Sequence, residues 1–110
     1  MRIIIKGKNF KLNEDLKSYA FEKISKFTEI VEDPSLCEVV LSDELGPKGG
    51  IDKSVHITLT LPGEKNAIHV EEMTSDFFGS IDLAQEKLER EIEKYKEKIK
   101  IGPRRDKDIE

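Results

Sequence analysis

The sequence predicts an α+β fold: a two-layer sandwich in the order β-α-β-β-β-α, in which two helices pack on one face of a four-stranded sheet. Two long segments repeat apolar residues at steps of three and four, as amphipathic helices do. Four shorter segments are rich in β-branched residues or alternate between apolar and polar residues, as strands do. One helical segment follows the first strand and the other follows the last, so both helices can cover the same face of the sheet.

The first strand and the first helix lie in the first third of the chain. The segment from Arg2 to Lys6 contains three isoleucines and ends before Gly7, which predicts a strand. Asn13 precedes two acidic residues and is the expected N-cap of the first helix. Asp33 before Pro34 is expected to stop that helix, because the residue before a proline avoids the α region. The apolar stripe of the helix consists of Leu16, Ala20, Ile24, Phe27 and Val31.

The second strand is predicted from Glu38 to Ser42, with Cys37, Val39 and Leu41 on one side. Cys37 is expected to be a small buried apolar residue, because no neighbouring histidine or cation would activate its thiol. The glycine-rich segment 43–53 is expected to be an exposed connector. Its glycine spacing fits neither the nucleotide-binding loop nor the dinucleotide fingerprint.

The third and fourth strands are predicted to form a hairpin around the turn at Pro62-Gly63. Val55 to Leu61 alternates cleanly between apolar and polar residues, and Asn66 to Glu72 makes the returning strand. The inward-facing residues of the hairpin are Val55, Ile57, Leu59, Leu61, Ile68 and Val70.

The expected register of this hairpin brings two histidines together on the outer face of the sheet. Thr58 then opposes His69, and His56 opposes Glu71. His56, His69 and Glu71 are the candidate ligands for a metal ion, but a structural zinc site needs four ligands and no fourth is evident. We therefore expect no metal and no cofactor.

The segment from Asp76 to Lys100 predicts a helix with three chemically distinct faces. The core face consists of Ile81, Ala84, Leu88, Ile92, Tyr95 and Ile99. The cationic face consists of Lys87, Arg90, Lys94 and Lys98, and the acidic face consists of Glu86, Glu89, Glu93 and Glu97. A continuous cationic stripe indicates a polyanion such as RNA, although an ordinary solvated face has the same pattern.

Composition limits the classes of function. A chain of 110 residues is long enough for one domain, and its formal net charge of -4 weakens unspecific attraction to nucleic acid. A single cysteine, with no signal-type or membrane-spanning apolar run, favours a cytoplasmic protein with no membrane partner. No catalytic motif surrounds the two histidines, so we expect neither an enzyme nor a small-molecule substrate.

Two blocks of this sequence resemble the ribosome hibernation promoting factors, a family also described as ribosome-associated inhibitors and sigma modulation proteins. The first block is Ile3-x-Ile5-x-Gly7-x-Asn9, followed by Leu16 and Lys23-Ile24-x-Lys26-Phe27. The second block opens with Asp76-Phe77-Phe78-Gly79-Ser80-Ile81-Asp82 and continues through Lys87-Leu88-x-Arg90-x-Ile92-x-Lys94 to Lys96-x-Lys98. The resemblance spans nearly the whole chain. The pair Gly79-Ser80 departs from it, since alanines are usual in the family there.

The resemblance implies the same β-α-β-β-β-α fold and binding to the small ribosomal subunit, in the channel where messenger and transfer RNA lie. The partners would be that subunit and its ribosomal RNA, and the function would be ribosome hibernation by occlusion, as part of a stress response. The implied RNA-binding residues are Lys23, Lys26, Lys87, Arg90, Lys94 and Lys98. Phe77 or Phe78 would be able to stack on a base, although an aromatic residue at a helix start more often packs in the core.

An alternative function is that of a protein-binding regulator, modulating a sigma factor or polymerase through the acidic face or an exposed sheet edge. Residues 1–101 are expected to form the ribosome-binding domain. Residues 102–110 are expected to be a flexible charged tail, or the start of a linker to a second, dimerising domain. Ile4 is expected to point outward from the first strand, which allows for a weak homodimer.

Overall fold

The computed structural model describes the backbone of residues 1–44 and 52–109 and the side chains of residues 1–44 and 52–98. The elements in chain order are β1 (Arg2–Lys8), α1 (Glu14–Ser25), a short 3-10 helix (Lys26–Glu29), β2 (Leu36–Asp43), β3 (Lys53–Thr60), β4 (Ile68–Thr74) and α2 (Phe77–Ile109). This order confirms the predicted α+β fold. The glycines of the predicted connector, Gly46, Gly49 and Gly50, lie outside the described residues.

The four strands form one sheet in the order β1-β2-β3-β4. β1 pairs with β2 in parallel, because the chain returns through α1 before it enters β2; the other two pairings are antiparallel. The hairpin register is as predicted, with Thr58 opposite His69 and His56 opposite Glu71. The sequence pattern had left the order of the strands open.

The core lies between the sheet and the two helices. On the sheet side it contains Cys37, Val39 and Leu41 of β2 and Val55, Ile57 and Leu59 of β3, all at most 1% exposed. On the helix side the predicted stripes of α1 and α2 are buried, except that Tyr95 is half-buried and the Ile99 side chain lies outside the described residues. Each fully buried aliphatic side chain stabilises the fold by about 1.5–3 kcal/mol.

The first helix begins as predicted and ends earlier than its apolar stripe suggests. Asn13 Oδ1 accepts a hydrogen bond from the Leu16 backbone N–H at 2.8 Å, which confirms the N-cap. Phe27 lies in the 3-10 helix and Val31 in the bend that follows, and both are buried. The stripe thus continues into tighter backbone, in a segment whose β-branched residues have low helix propensity.

The last helix is longer than predicted. We expected it to end at Lys100, and that boundary is wrong, because α2 continues to Ile109. Gly102 and Pro103 destabilise a helix relative to alanine but do not exclude one. They are therefore poor indicators of where this helix ends. The division into a domain of residues 1–101 and a tail of residues 102–110 stays a prediction. Among the described residues, no helix combines the length and apolar character that crossing a membrane requires.

Candidate nucleic-acid interface

The start of α2 is fixed to the sheet by a buried serine. Ser80 is fully buried, and its hydroxyl donates to the Lys53 carbonyl oxygen of β3 at 2.6 Å. The Ser80 hydroxyl oxygen also accepts a hydrogen bond from the backbone N–H of Thr74, at the end of β4, at 2.9 Å. Asp76 Oδ2 caps the first turn by accepting the Gly79 N–H at 3.1 Å. Ser80 therefore joins β3, β4 and α2 and sets the position of the helix faces.

The cationic face of α2 lies on the flank that turns towards β4 and the solvent. Lys87 Nζ is 3.8 Å from Glu72 Oε2 of β4, and Lys94 Nζ is 3.7 Å from Glu91 Oε1 on the same helix. Arg90 and Lys98 are exposed, and none of the described side chains forms an ion pair with either. Exposed ion pairs of this kind contribute about 0–1 kcal/mol to stability, so the glutamates hold the two lysines only weakly. The cationic face is therefore available to an anionic partner.

The two predicted contacts on the first helical segment lie on the opposite flank of α2. Lys23 Nζ is 3.9 Å from Asp82 Oδ1, and Lys26 Nζ is 2.8 Å from Glu89 Oε1. The Glu89 carboxylate also accepts a hydrogen bond from Gln85 Nε2 at 3.3 Å. The six predicted RNA-binding residues thus fall into two groups. Four are together on the cationic face, and two are paired with acids across the groove between α1 and α2.

The aromatic residues at the start of α2 have different environments. Phe77 is 9% exposed and stacks on Phe10, with ring centroids 4.8 Å apart. Phe78 is 39% exposed and meets Tyr19 edge to face at 4.9 Å. The Tyr19 hydroxyl donates to Asp82 Oδ1 at 2.6 Å, and this hydrogen bond raises the pKa of Tyr19. Phe77 belongs to the core, and Phe78 remains accessible from the groove between the helices.

The paired histidines do not form a metal centre with Glu71. The ring centroids of His56 and His69 are 5.9 Å apart, and His69 Nδ1 lies 3.3 Å from Thr58 Oγ1. Across residues 1–44 and 52–98, no group of three or more His, Cys, Asp or Glu side chains is arranged to hold a metal ion. Cys37 is fully buried as predicted, and burial raises the pKa of its thiol to about 12.

Sequence reasoning missed a cleft between the β3–β4 turn and α2. Its volume is about 230 Å³, and Tyr95, Lys94 and Lys98 of α2 line one side. Periodicity assigned Tyr95 to the core face and the two lysines to the cationic face, without indicating that the turn would enclose a space beside them. The sequence held one indication of the cleft: the core face and the cationic face of α2 meet at Tyr95, and a turn was predicted between the two preceding strands.

The fold and this surface define a small α+β domain whose last helix presents a cationic face to the solvent. Residues 3–100 match the family described as "Sigma 54 modulation protein / S30EA ribosomal protein", and the chain belongs to this family. The predicted resemblance is therefore confirmed.

Two curated relatives are ribosome hibernation promotion factors. The protein of Lactococcus lactis subsp. cremoris is 32% identical over 100 residues, which cover 91% of this chain and 52% of that protein. The protein of Staphylococcus aureus is 30% identical over 100 residues, covering 90% of this chain and 50% of that protein. The chain thus spans about half the length of the curated relatives it matches.

Solved structures share the fold. The N-terminal domain of Protein Y from Thermus thermophilus superposes with a TM-score of 0.72 at 25% identity, covering 86% of this chain and 99% of that domain. A ribosomal subunit interface protein from Coxiella burnetii gives a TM-score of 0.68 at 21% identity, covering 87% of this chain and 98% of that protein. The second likeness is one of fold alone.

Proposed function

We propose that this chain binds the small ribosomal subunit in the channel of messenger and transfer RNA and keeps the ribosome inactive. Membership of the family supports this proposal, as do two relatives named ribosome hibernation promotion factors. The domain acts by occlusion in the cytoplasm and performs no catalysis. Its partner is the ribosomal RNA of the subunit, which it contacts mainly through phosphates, so that position is set by backbone charge rather than by base sequence.

The cationic face is the observation on which the RNA contact rests. Four cations follow one flank of a single helix, and the Lys94 side chain is 74% exposed. Each phosphate that such a side chain neutralises releases bound counterions, which makes the affinity depend on salt. Four contacts correspond to a slope of about −3 in a plot of log affinity against log salt concentration.

Co-sedimentation with isolated small subunits across about 50 to 500 mM salt tests this proposal. The double variant Arg90→Gln/Lys94→Gln is expected to bind more weakly and to reduce the steepness of the salt dependence by about 1.5. The variant Lys11→Gln/Lys17→Gln is the matched control, because it loses the same charge from exposed positions outside α2. Unchanged binding by a folded Arg90→Gln/Lys94→Gln protein would contradict the assigned face.

A second candidate function is that of a protein-binding regulator. The family description includes modulation of sigma 54, and the acidic face leaves Glu86, Glu93 and Glu97 exposed to a basic partner. A pull-down that recovers a polymerase component without ribosomal particles would favour this function over the first. Recovery of small subunits without polymerase would favour ribosome binding over protein-binding regulation.

A further inference from the structure

The cleft between the β3–β4 turn and α2 has an apolar base and a polar rim. Leu61, which is 4% exposed, and the partly buried Ile68 form the base, and the half-buried Tyr95 forms a wall beside them. Gly63, with φ at +78°, turns the chain between the two strands, and the Glu64 N–H donates to the Leu61 carbonyl at 3.3 Å. Two polar residues of this connection, Glu64 and Asn66, line the cleft together with residues of α2.

The rim combines cations, carboxylates and an amide. Lys94 and Lys98 come from α2 and continue the cationic face into the cleft. Glu64 and Asn66 come from the turn, and Glu91 comes from the helix, where it pairs with Lys94 at 3.7 Å. The carboxylates oppose the entry of a bare phosphate, since they bring as much negative charge as the lysines bring positive charge. The occupant must therefore offer hydrogen-bond donors as well as an anionic group.

We propose that the cleft accepts one unpaired base of the RNA whose phosphates lie on the cationic face. This inference rests on the proposed function and gives it a second kind of contact. An aromatic wall and an apolar base suit the flat face of a nucleobase, which stacks on tyrosine independently of sequence. Lys94 and Lys98 hold the adjoining phosphates. The cleft volume of about 230 Å³ is smaller than that of pockets for drug-sized ligands. A cleft of this size suits a single base.

The carboxylates set a preference among the bases. Carboxylate oxygens accept hydrogen bonds, so Glu64 and Glu91 favour a base with an exocyclic amino group: guanine, adenine or cytosine. Uracil presents two carbonyl oxygens beside a single N–H and is the poorest match. Asn66 offers both a donor and an acceptor and is compatible with any of the first three bases.

Amide NMR spectra of the whole protein, titrated separately with GMP, AMP, CMP, UMP and inorganic phosphate, test the cleft without the ribosome. The resonances of Glu64, Asn66 and Tyr95 are expected to shift with GMP, AMP or CMP at about 10 mM, because one stacked base contributes at most about 3 kcal/mol. UMP is expected to shift them less. Equal shifts with phosphate alone, or no shifts at these residues, would overturn the inference. Micromolar binding of a free nucleotide would also overturn it, by assigning the cleft to a soluble ligand.

Two variants separate base contact from phosphate contact on the ribosome. Tyr95→Leu and Asn66→Ala should each weaken subunit binding at every salt concentration, about tenfold for Tyr95→Leu, with an unchanged salt slope. Lys65→Ala, in the same turn but not lining the cleft, is the control for both. Wild-type binding by both folded variants would overturn the inference and leave the proposed function intact. Failure of the wild-type protein to bind small subunits would refute the proposed function. The nucleotide titration would still show whether the cleft accepts a base.

Discussion

Replacing Glu89 with Gln is expected to strengthen binding to the small subunit. Lys26 Nζ lies 2.8 Å from Glu89 Oε1, so an RNA phosphate must compete with this carboxylate for the ammonium group. The variant Glu89→Gln keeps the shape of the side chain and an oxygen that accepts hydrogen bonds, but it removes the charge. Lys26, one of the predicted RNA-binding residues, then becomes available to the RNA.

The size of the effect follows from the exposure of the pair. The Lys26 and Glu89 side chains are 49% and 44% exposed, and such pairs contribute about 0.2–1 kcal/mol. Releasing Lys26 should therefore increase the affinity for RNA by a factor of about 1.4 to 5. The free energy of unfolding should fall by no more than about 1 kcal/mol.

Co-sedimentation with small subunits at one low salt concentration measures this gain, and Glu86→Gln is the matched control. Glu86 lies on the same acidic face, and no described side chain forms an ion pair with it. The change in affinity of Glu86→Gln therefore measures only the lost repulsion between this carboxylate and the RNA phosphates. The excess gain of Glu89→Gln over Glu86→Gln measures the release of Lys26, and adding Lys26→Gln should abolish it. Equal gains from the two single variants would refute the reasoning.

Two further predictions concern stability. Ile92 is fully buried in the core face of α2, so Ile92→Ala should reduce the free energy of unfolding by about 2–5 kcal/mol in urea denaturation; a loss below about 1 kcal/mol would contradict its place in the core. Burial raises the pKa of Cys37 to about 12, so the folded thiol keeps its proton where the unfolded thiol loses it. The free energy of unfolding should therefore fall as the pH rises above about 8.5, and a Cys37→Ala variant should show a smaller fall over the same range.

Elements whose evidence is local were predictable from the sequence. The alternation in β3 and the stripe of α2 follow directly from periodicities of 2 and 3.6, and the buried residues agree with both. The hairpin register was predictable because a short turn fixes which residues face each other, as the pairing of Thr58 with His69 confirms. The start of α1 was predictable because Asn13 satisfies backbone donors within its own turn.

Features that depend on how distant segments meet were not predictable. Lys26 and Lys94 are both exposed cations in the sequence pattern, and only the packing of α1 against one flank of α2 places them on opposite sides of that helix. The cleft at Tyr95 likewise exists only because the β3–β4 turn lies over α2. The pattern of one sequence identifies the faces of each helix, but it does not identify the strand, helix or turn that packs against each face.

The packing of α1 gives a physical reason for the sorting of charge along α2. If Lys87 and Glu89 were exchanged, an acid would interrupt the cationic face, and a lysine would meet Lys26 across the groove between the helices. In the observed arrangement Lys23 and Lys26 pair with acids on one flank of α2. On the other flank, Arg90 and Lys98 form no ion pair with any described side chain. A chain with a net charge of -4 can thus present a cationic surface, because the groove between its helices accommodates part of the negative charge.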